Sequence, residues 1–154
     1  MREQVLKEAK SLLRVSTMGV LSTHSHTMKG YPFGSTVQFI NSDANQAYLF
    51  ISDIAQHAKN LSHNSALSLT VFDQKSQDDP ENSRLTLIGD ATKLPRCESV
   101  ILIQQFIEKY PSASQYMDLA DFHIWQVDVI RVRFISGFGK IFWLEHNEWQ
   151  AYCA

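Results

Sequence analysis

Short apolar, β-branched segments recur along this chain, each closed by turn-forming residues, and that rhythm constrains the fold more than any other feature. Residues 17–23 (TMGVLST), 33–40 (FGSTVQFI), 46–52 (QAYLFIS), 66–72 (ALSLTVF) and 83–94 (SRLTLIGDATKL) all read as strands. Residues 122–129, 131–135 and 140–145 continue the series. The polar run 41–45 (NSDAN) is a turn whose side chains bond nearby backbone, so the strands on either side are expected to pair antiparallel. Gly89, inside the longest strand, marks a bulge where the strand bends. A polar excursion with Pro80 fills residues 73–82, and Gly137-Phe-Gly139 makes a turn or bulge.

Three segments follow helical periodicity instead. Val5, Leu6, Ala9, Leu12 and Leu13 share one face of an opening helix. Ile54, Ala58 and Leu61 mark a short helix over 53–64, with Ser52 or Asp53 available as N-cap. Val100, Ile101, Ile103, Phe106 and Ile107 make a third stripe over 97–110. The pattern predicts one α+β domain that is mainly β: an antiparallel barrel of six to seven strands with added helices. At 154 residues and 44% apolar content, the chain can bury a real core.

Fourteen basic and sixteen acidic residues leave a net charge of -2, and the basic residues are scattered. That balance gives no electrostatic reason to expect a nucleic acid or an anionic membrane as partner. Cys97 and Cys153 are too few and too far apart for a metal motif or a disulfide framework, and read as free thiols of a reducing cytoplasm. The charged start, MREQVLKEAK, lacks the apolar segment of a signal peptide, and no apolar run approaches a membrane span. The expectation is a cytoplasmic protein.

The best local candidate for a site is the strand-to-helix segment 52–60, because the first-turn N–H groups of a helix favour an anion. Ser52, Gln56, His57 and Lys59 gather hydroxyl, amide, imidazole and ammonium groups there; a capped surface helix is the alternative. Arg84 opens an apolar strand, and its guanidinium can grip a phosphate or a partner carboxylate bidentately. Ser35 and Thr36 add hydroxyls beside Gly34, where a ligand can approach the backbone.

Of the six histidines, His24 and His26 share a loop without companions at zinc-site spacing, so they read as solvated. His123 reads as a satisfied core histidine, and Trp125, Trp143 and Trp149 as core or interface aromatics. His146, beside Glu145 and Glu148, reads as a solvated turn residue and is also the one late histidine that can approach a bound ring system. No nucleophile elbow, Walker loop or dinucleotide glycine pattern is present.

Four motifs in order resemble a known family: GYPFGST (30–36), ISDIAQHAKNL (51–61), RLTLIG (84–89) and RFISGFG (133–139). Across residues 9–144 the chain resembles the pyridoxamine 5′-phosphate oxidase-related split barrels, and most of all their haem-utilisation subgroup. The resemblance implies a six-stranded split β-barrel and a homodimer with two FMN sites at the subunit interface. It places the phosphate grip at Ser35, Gln56, His57 and Arg84; Lys59 is added on its charge alone.

The departures are specific. The oxidases carry an arginine at the position of Ser35, an Arg-Lys pair at Gln56-His57, and a late His-Arg…Asp-Arg segment where this chain has GKIFWL. These differences argue against a true pyridoxamine phosphate oxidase. The expectation is an FMN-binding oxidoreductase of unknown substrate. The alternatives are a haem-binding or haem-degrading protein, for which the family's C-terminal iron ligand has only His146 as a counterpart, and a non-catalytic binding module.

Overall fold

The computed structural model describes residues 2–42, 46–73, 78, 82–137 and 139–152. The 41–45 turn, the 73–82 excursion with Pro80, Phe138 and Cys153 lie wholly or partly outside the described residues. Helix α1 spans Arg2–Val15 and is followed by β1 (Gly19–His24), β2 (Pro32–Val37), the two-residue β3 (Ile40–Asn41) and β4 (Ala47–Ser52). Helix α2 (Gln56–His63) leads into β5 (Ala66–Phe72) and the long β6 (Arg84–Lys93). Helix α3 (Val100–Lys109), β7 (Phe122–Gly137), β8 (Lys140–Glu145) and α4 (His146–Ala151) complete the chain.

All eight strands join one antiparallel sheet in the order β2-β1-β5-β6-β7-β4-β3, with β8 added to β7. Strand β7 organises it. One edge pairs with β6 along most of its length; the other is shared between β4 (at residues 122–127) and β8 (from residue 131). The change of partner falls at Ile130, which has no opposite residue on β6, because Ile88 pairs with Arg131 and Gly89 with Val129. This bulge faces the glycine that the sequence marks. The extra residue lets Val127 and Val129 before it, and Val132 and Phe134 after it, all enter the same core.

The barrel core contains Leu21, Leu49, Leu69, Leu85 and Leu87, together with the five α1 residues expected on one face. A second core joins α3 to the outside of β4 through Tyr48, Phe50, Ile103, Phe106 and Tyr110. Strand β4 is therefore covered on both sides, which explains why its sequence is apolar without alternation.

Several sequence expectations shift. Residues 33–40 are not one strand: β2 pairs with β1, and only Ile40 and Asn41 return to pair with β4. Helix α2 starts later, with Ala55 as N-cap and no side-chain cap. The reason is that Ser52 and Asp53 are committed elsewhere, Ser52 to Asp121 and Asp53 to Lys93 and His123. The α3 stripe divides: Ile103 and Phe106 are buried, whereas Val100 and Ile101 are exposed. Residues 146–151 form a helix rather than a turn, because Glu145 and Glu148 make a reciprocal capping box.

No helix among the described residues is long and apolar enough to cross a membrane.

Candidate functional site

The seven residues singled out from sequence fall into separate places. Ser35 and His57 come together, with Oγ 3.0 Å from Nδ1. Gln56 adjoins them and donates to Asn60 Oδ1 at 2.9 Å. Asn60 is fully buried; it also accepts from the His26 backbone N–H and donates to Thr23 Oγ1, so it ties α2 to β1 and its following loop. Burial holds the His57 imidazole below its ordinary pKa, so it is neutral at pH 7. This corner has hydrogen-bonding groups but no fixed cation. Lys59, on the same helix, is exposed. Ser52 is turned to Asp121 at 2.5 Å.

Thr36 and Arg84 belong to the other face of the sheet. Register settles this. Ser35 lies opposite Leu21, which lies opposite Leu69 and then Leu87, all on the core side. Thr36 follows Val20, Thr70 and Thr86 on the outer side, and Arg84, opposite Phe72, shares it. Within one chain Arg84 therefore does not join Ser35 and His57. An FMN phosphate at that corner would meet hydroxyl, amide and first-turn backbone N–H donors, but no fixed cation within one chain.

The outer face has its own chemistry. At one end α1 and β1 border an open cavity of about 390 Å³ lined by Val15, Met18, Val20 and Phe72 and by the polar Ser16, Thr17, Thr36 and Asp73. Arg84 stands beside Phe72 as its cross-strand partner and has no carboxylate partner among the described residues. Arg133, paired with Thr86, lies 4.7 Å from the centroid of the Trp143 ring, and Arg131 lies 4.0 Å from it. Glu145 occupies Arg131 at 2.9 Å, and Arg133 has no described carboxylate partner. Stacking on Trp143 holds the Arg133 guanidinium in place without neutralising it. Sequence reading missed Arg131 and Arg133 because their shared face depends on the Ile130 bulge.

Of the remaining histidines, His24 is exposed and His63 Nδ1 lies 2.9 Å from the Lys59 carbonyl. His123 Nδ1 meets Asp53 at 3.0 Å, as expected of a satisfied histidine. His26 is not simply solvated: its ring stacks on His63 with centroids 3.4 Å apart. His146 is held rather than free in a turn. Its Nδ1 lies 2.8 Å from the Val129 carbonyl, which can only accept, so Nδ1 carries the proton and Nε2 the lone pair. Among the described residues, no group of three or more His, Cys, Asp or Glu side chains is placed to hold a metal ion.

Fold and site together define an antiparallel split barrel with a cationic, partly apolar outer sheet face. The family model described as CREG, beta-barrel matches residues 1–151, and the chain belongs to that family. It is 31% identical over 137 residues to the non-canonical heme oxygenase HOZ, chloroplastic, of Arabidopsis thaliana. That match takes in 89% of this chain but 42% of the relative, so the chain spans less than half the length of the curated protein it matches.

Among solved structures, a heme binding protein from Mycobacterium smegmatis superposes with a TM-score of 0.86 at 26% identity, over 97% of this chain and 61% of that one. A general stress protein 26-related member of the pyridoxinephosphate oxidase family from Clostridium acetobutylicum gives a TM-score of 0.75 at 17% identity, over 96% and 99%. The split-barrel resemblance read from the four sequence motifs is correct.

Proposed function

We propose that this chain is a haem-binding split barrel that holds the porphyrin against the outer face of its sheet. The observation that carries the reading is the outer face itself, where a cavity lined in part by Val15, Met18, Val20 and Phe72 lies next to the strand of Arg84, and Arg133 stands on the strand after that. A porphyrin has an apolar edge and two carboxylates. The cavity suits the edge, and the two guanidiniums suit the carboxylates through charge-assisted hydrogen bonds. Thr70 and Thr86 present hydroxyls between them, hydrogen-bonded to each other at 2.9 Å.

The heme oxygenase and heme binding relatives support this reading, and the neutral Ser35–Gln56–His57 corner weighs against FMN held within one chain. Haem, once bound, supplies an iron centre able to bind oxygen or pass electrons. Arg84, Arg133 and Thr86 would orient it. His146, the one late histidine, would keep its Nε2 available as an iron ligand.

The same face bears Phe72, Ile141 and Trp143, each at least a third exposed, and a second copy of the chain would cover them. A homodimer is part of the proposal, and light scattering tests it: a monomer mass at micromolar protein contradicts it.

The site itself is tested by absorbance titration with haem. Arg133→Ala and Arg84→Ala are each expected to weaken binding by roughly ten- to a hundredfold, the worth of one charge-assisted bond. Unchanged affinity in both variants overturns the outer-face assignment.

A further inference from the structure

The described serines with hydroxyl partners mostly donate to carbonyls or carboxylates: Ser16 to Leu12, Ser52 to Asp121, Ser62 to Ala58, Ser83 to Ser136 and Ser99 to Pro95. Such bonds fix a hydroxyl and do not activate it. Ser35 differs, because its Oγ lies 3.0 Å from an imidazole nitrogen, His57 Nδ1. That is the contact a nucleophile makes with its general base. It is half-buried, and both residues sit on fixed elements, Ser35 within β2 and His57 in the first turn of α2. The helix has no side-chain cap, so the Gln56 and His57 backbone N–H groups, which lack intrahelical acceptors, stand at the same corner.

We propose that Ser35 and His57 form a nucleophile–base pair that transfers acyl groups from small esters. The proposal is independent of what the outer sheet face binds. Ser35 Oγ forms a bond to the ester carbonyl carbon as its proton passes to His57 Nδ1. The carbon–alkoxide bond then breaks, and the leaving alcohol takes the proton from His57. Water next attacks the acyl carbon and gives its proton to His57; the Ser35 Oγ–acyl bond breaks and the hydroxyl is restored. An acid and an alcohol are released, with no net oxidation or reduction.

Ser35 lies between Phe33 and Val37 on the core-facing side of β2, so its neighbours along that face are apolar and suit an apolar acyl group. Burial keeps His57 unprotonated at neutral pH, the form a base requires.

Diisopropyl fluorophosphate, a serine-directed phosphorylating probe, tests the pair directly on the full chain, with peptide mass mapping as the readout. The expected result is a single adduct on Ser35, absent from Ser35→Ala and formed about a hundredfold more slowly in His57→Gln. The wild-type labelling rate is expected to rise with pH through one ionisation below 6.5, that of His57, a readout that needs no variant to fold. No adduct on Ser35, equal labelling of His57→Gln, or a flat pH profile overturns the proposal.

Discussion

At Gly89 a Cβ would stand 2.2 Å from the Asp128 carbonyl oxygen, and backbone cannot yield as a flexible side chain does. Gly89→Ala is therefore expected to cost about 1–3 kcal/mol, the usual range for overpacking, read as a lower urea midpoint with unchanged slope. An unchanged midpoint contradicts the close approach. His57 sets a pH dependence at the same scale. Its folded pKa lies below the unfolded value, so the unfolded chain binds the proton first as pH falls. The His57 contribution is complete above about pH 6.5 and is lost as pH drops through the folded pKa. His57→Gln is expected to flatten the slope of stability against pH below 6.5; an unaltered slope contradicts a depressed pKa. Residue types were legible in the sequence: Gly89 as a bulge, His123 as satisfied, Ser35 and His57 as one corner. The face that Arg84 occupies was not, because the side a strand residue takes depends on register.

Element identity was easier to read than element partnership. The apolar face of α1, the strand β5 and the long β6 follow from periodicity, since burial imposes it directly. The split of residues 33–40 does not, because β2 and β3 are separated by the buried Phe39, an apolar residue that reads as more strand. The apolar run of α3 likewise hides that Val100 and Ile101 face outward. Two elements invite test. Deleting Val132, a paired residue just beyond the bulge, reverses the alternation of the second half of β7 and places Arg133 on the core side. The deletion is expected to abolish cooperative thermal unfolding; a sharp transition near the wild-type midpoint contradicts the register. On α2, Asn60→Ala removes the donor to Thr23 Oγ1 and leaves the His26 N–H without a partner, at a cost of about 1–3 kcal/mol in chemical denaturation. A loss below 0.5 kcal/mol, about the effect of a surface change, contradicts that bridge.

For the molecule as a whole, the open outer face distinguishes two cofactor readings. Among the described residues, the outer side of β2, β1, β5, β6, the second half of β7 and β8 meets a helix only where α1 borders the cavity, whereas α3 covers the first half of β7 and β4. Within one chain, an FMN phosphate read from sequence at Ser35, Gln56, His57 and Arg84 draws on groups from both faces of that sheet, and only an interface between two copies could bring the four together. A porphyrin on the outer side requires only one face, with the Val15, Met18 and Phe72 cavity at one end and Arg133 on Trp143 near the other. The most direct measurement is a map of amide and methyl chemical shifts as diamagnetic zinc protoporphyrin is added to the isotopically labelled chain. The account predicts the largest shifts at Val20, Phe72, Thr86 and Arg133, with Ser35 and His57 little moved. Shifts concentrated at Ser35, Gln56 and His57, with the outer face silent, would contradict it.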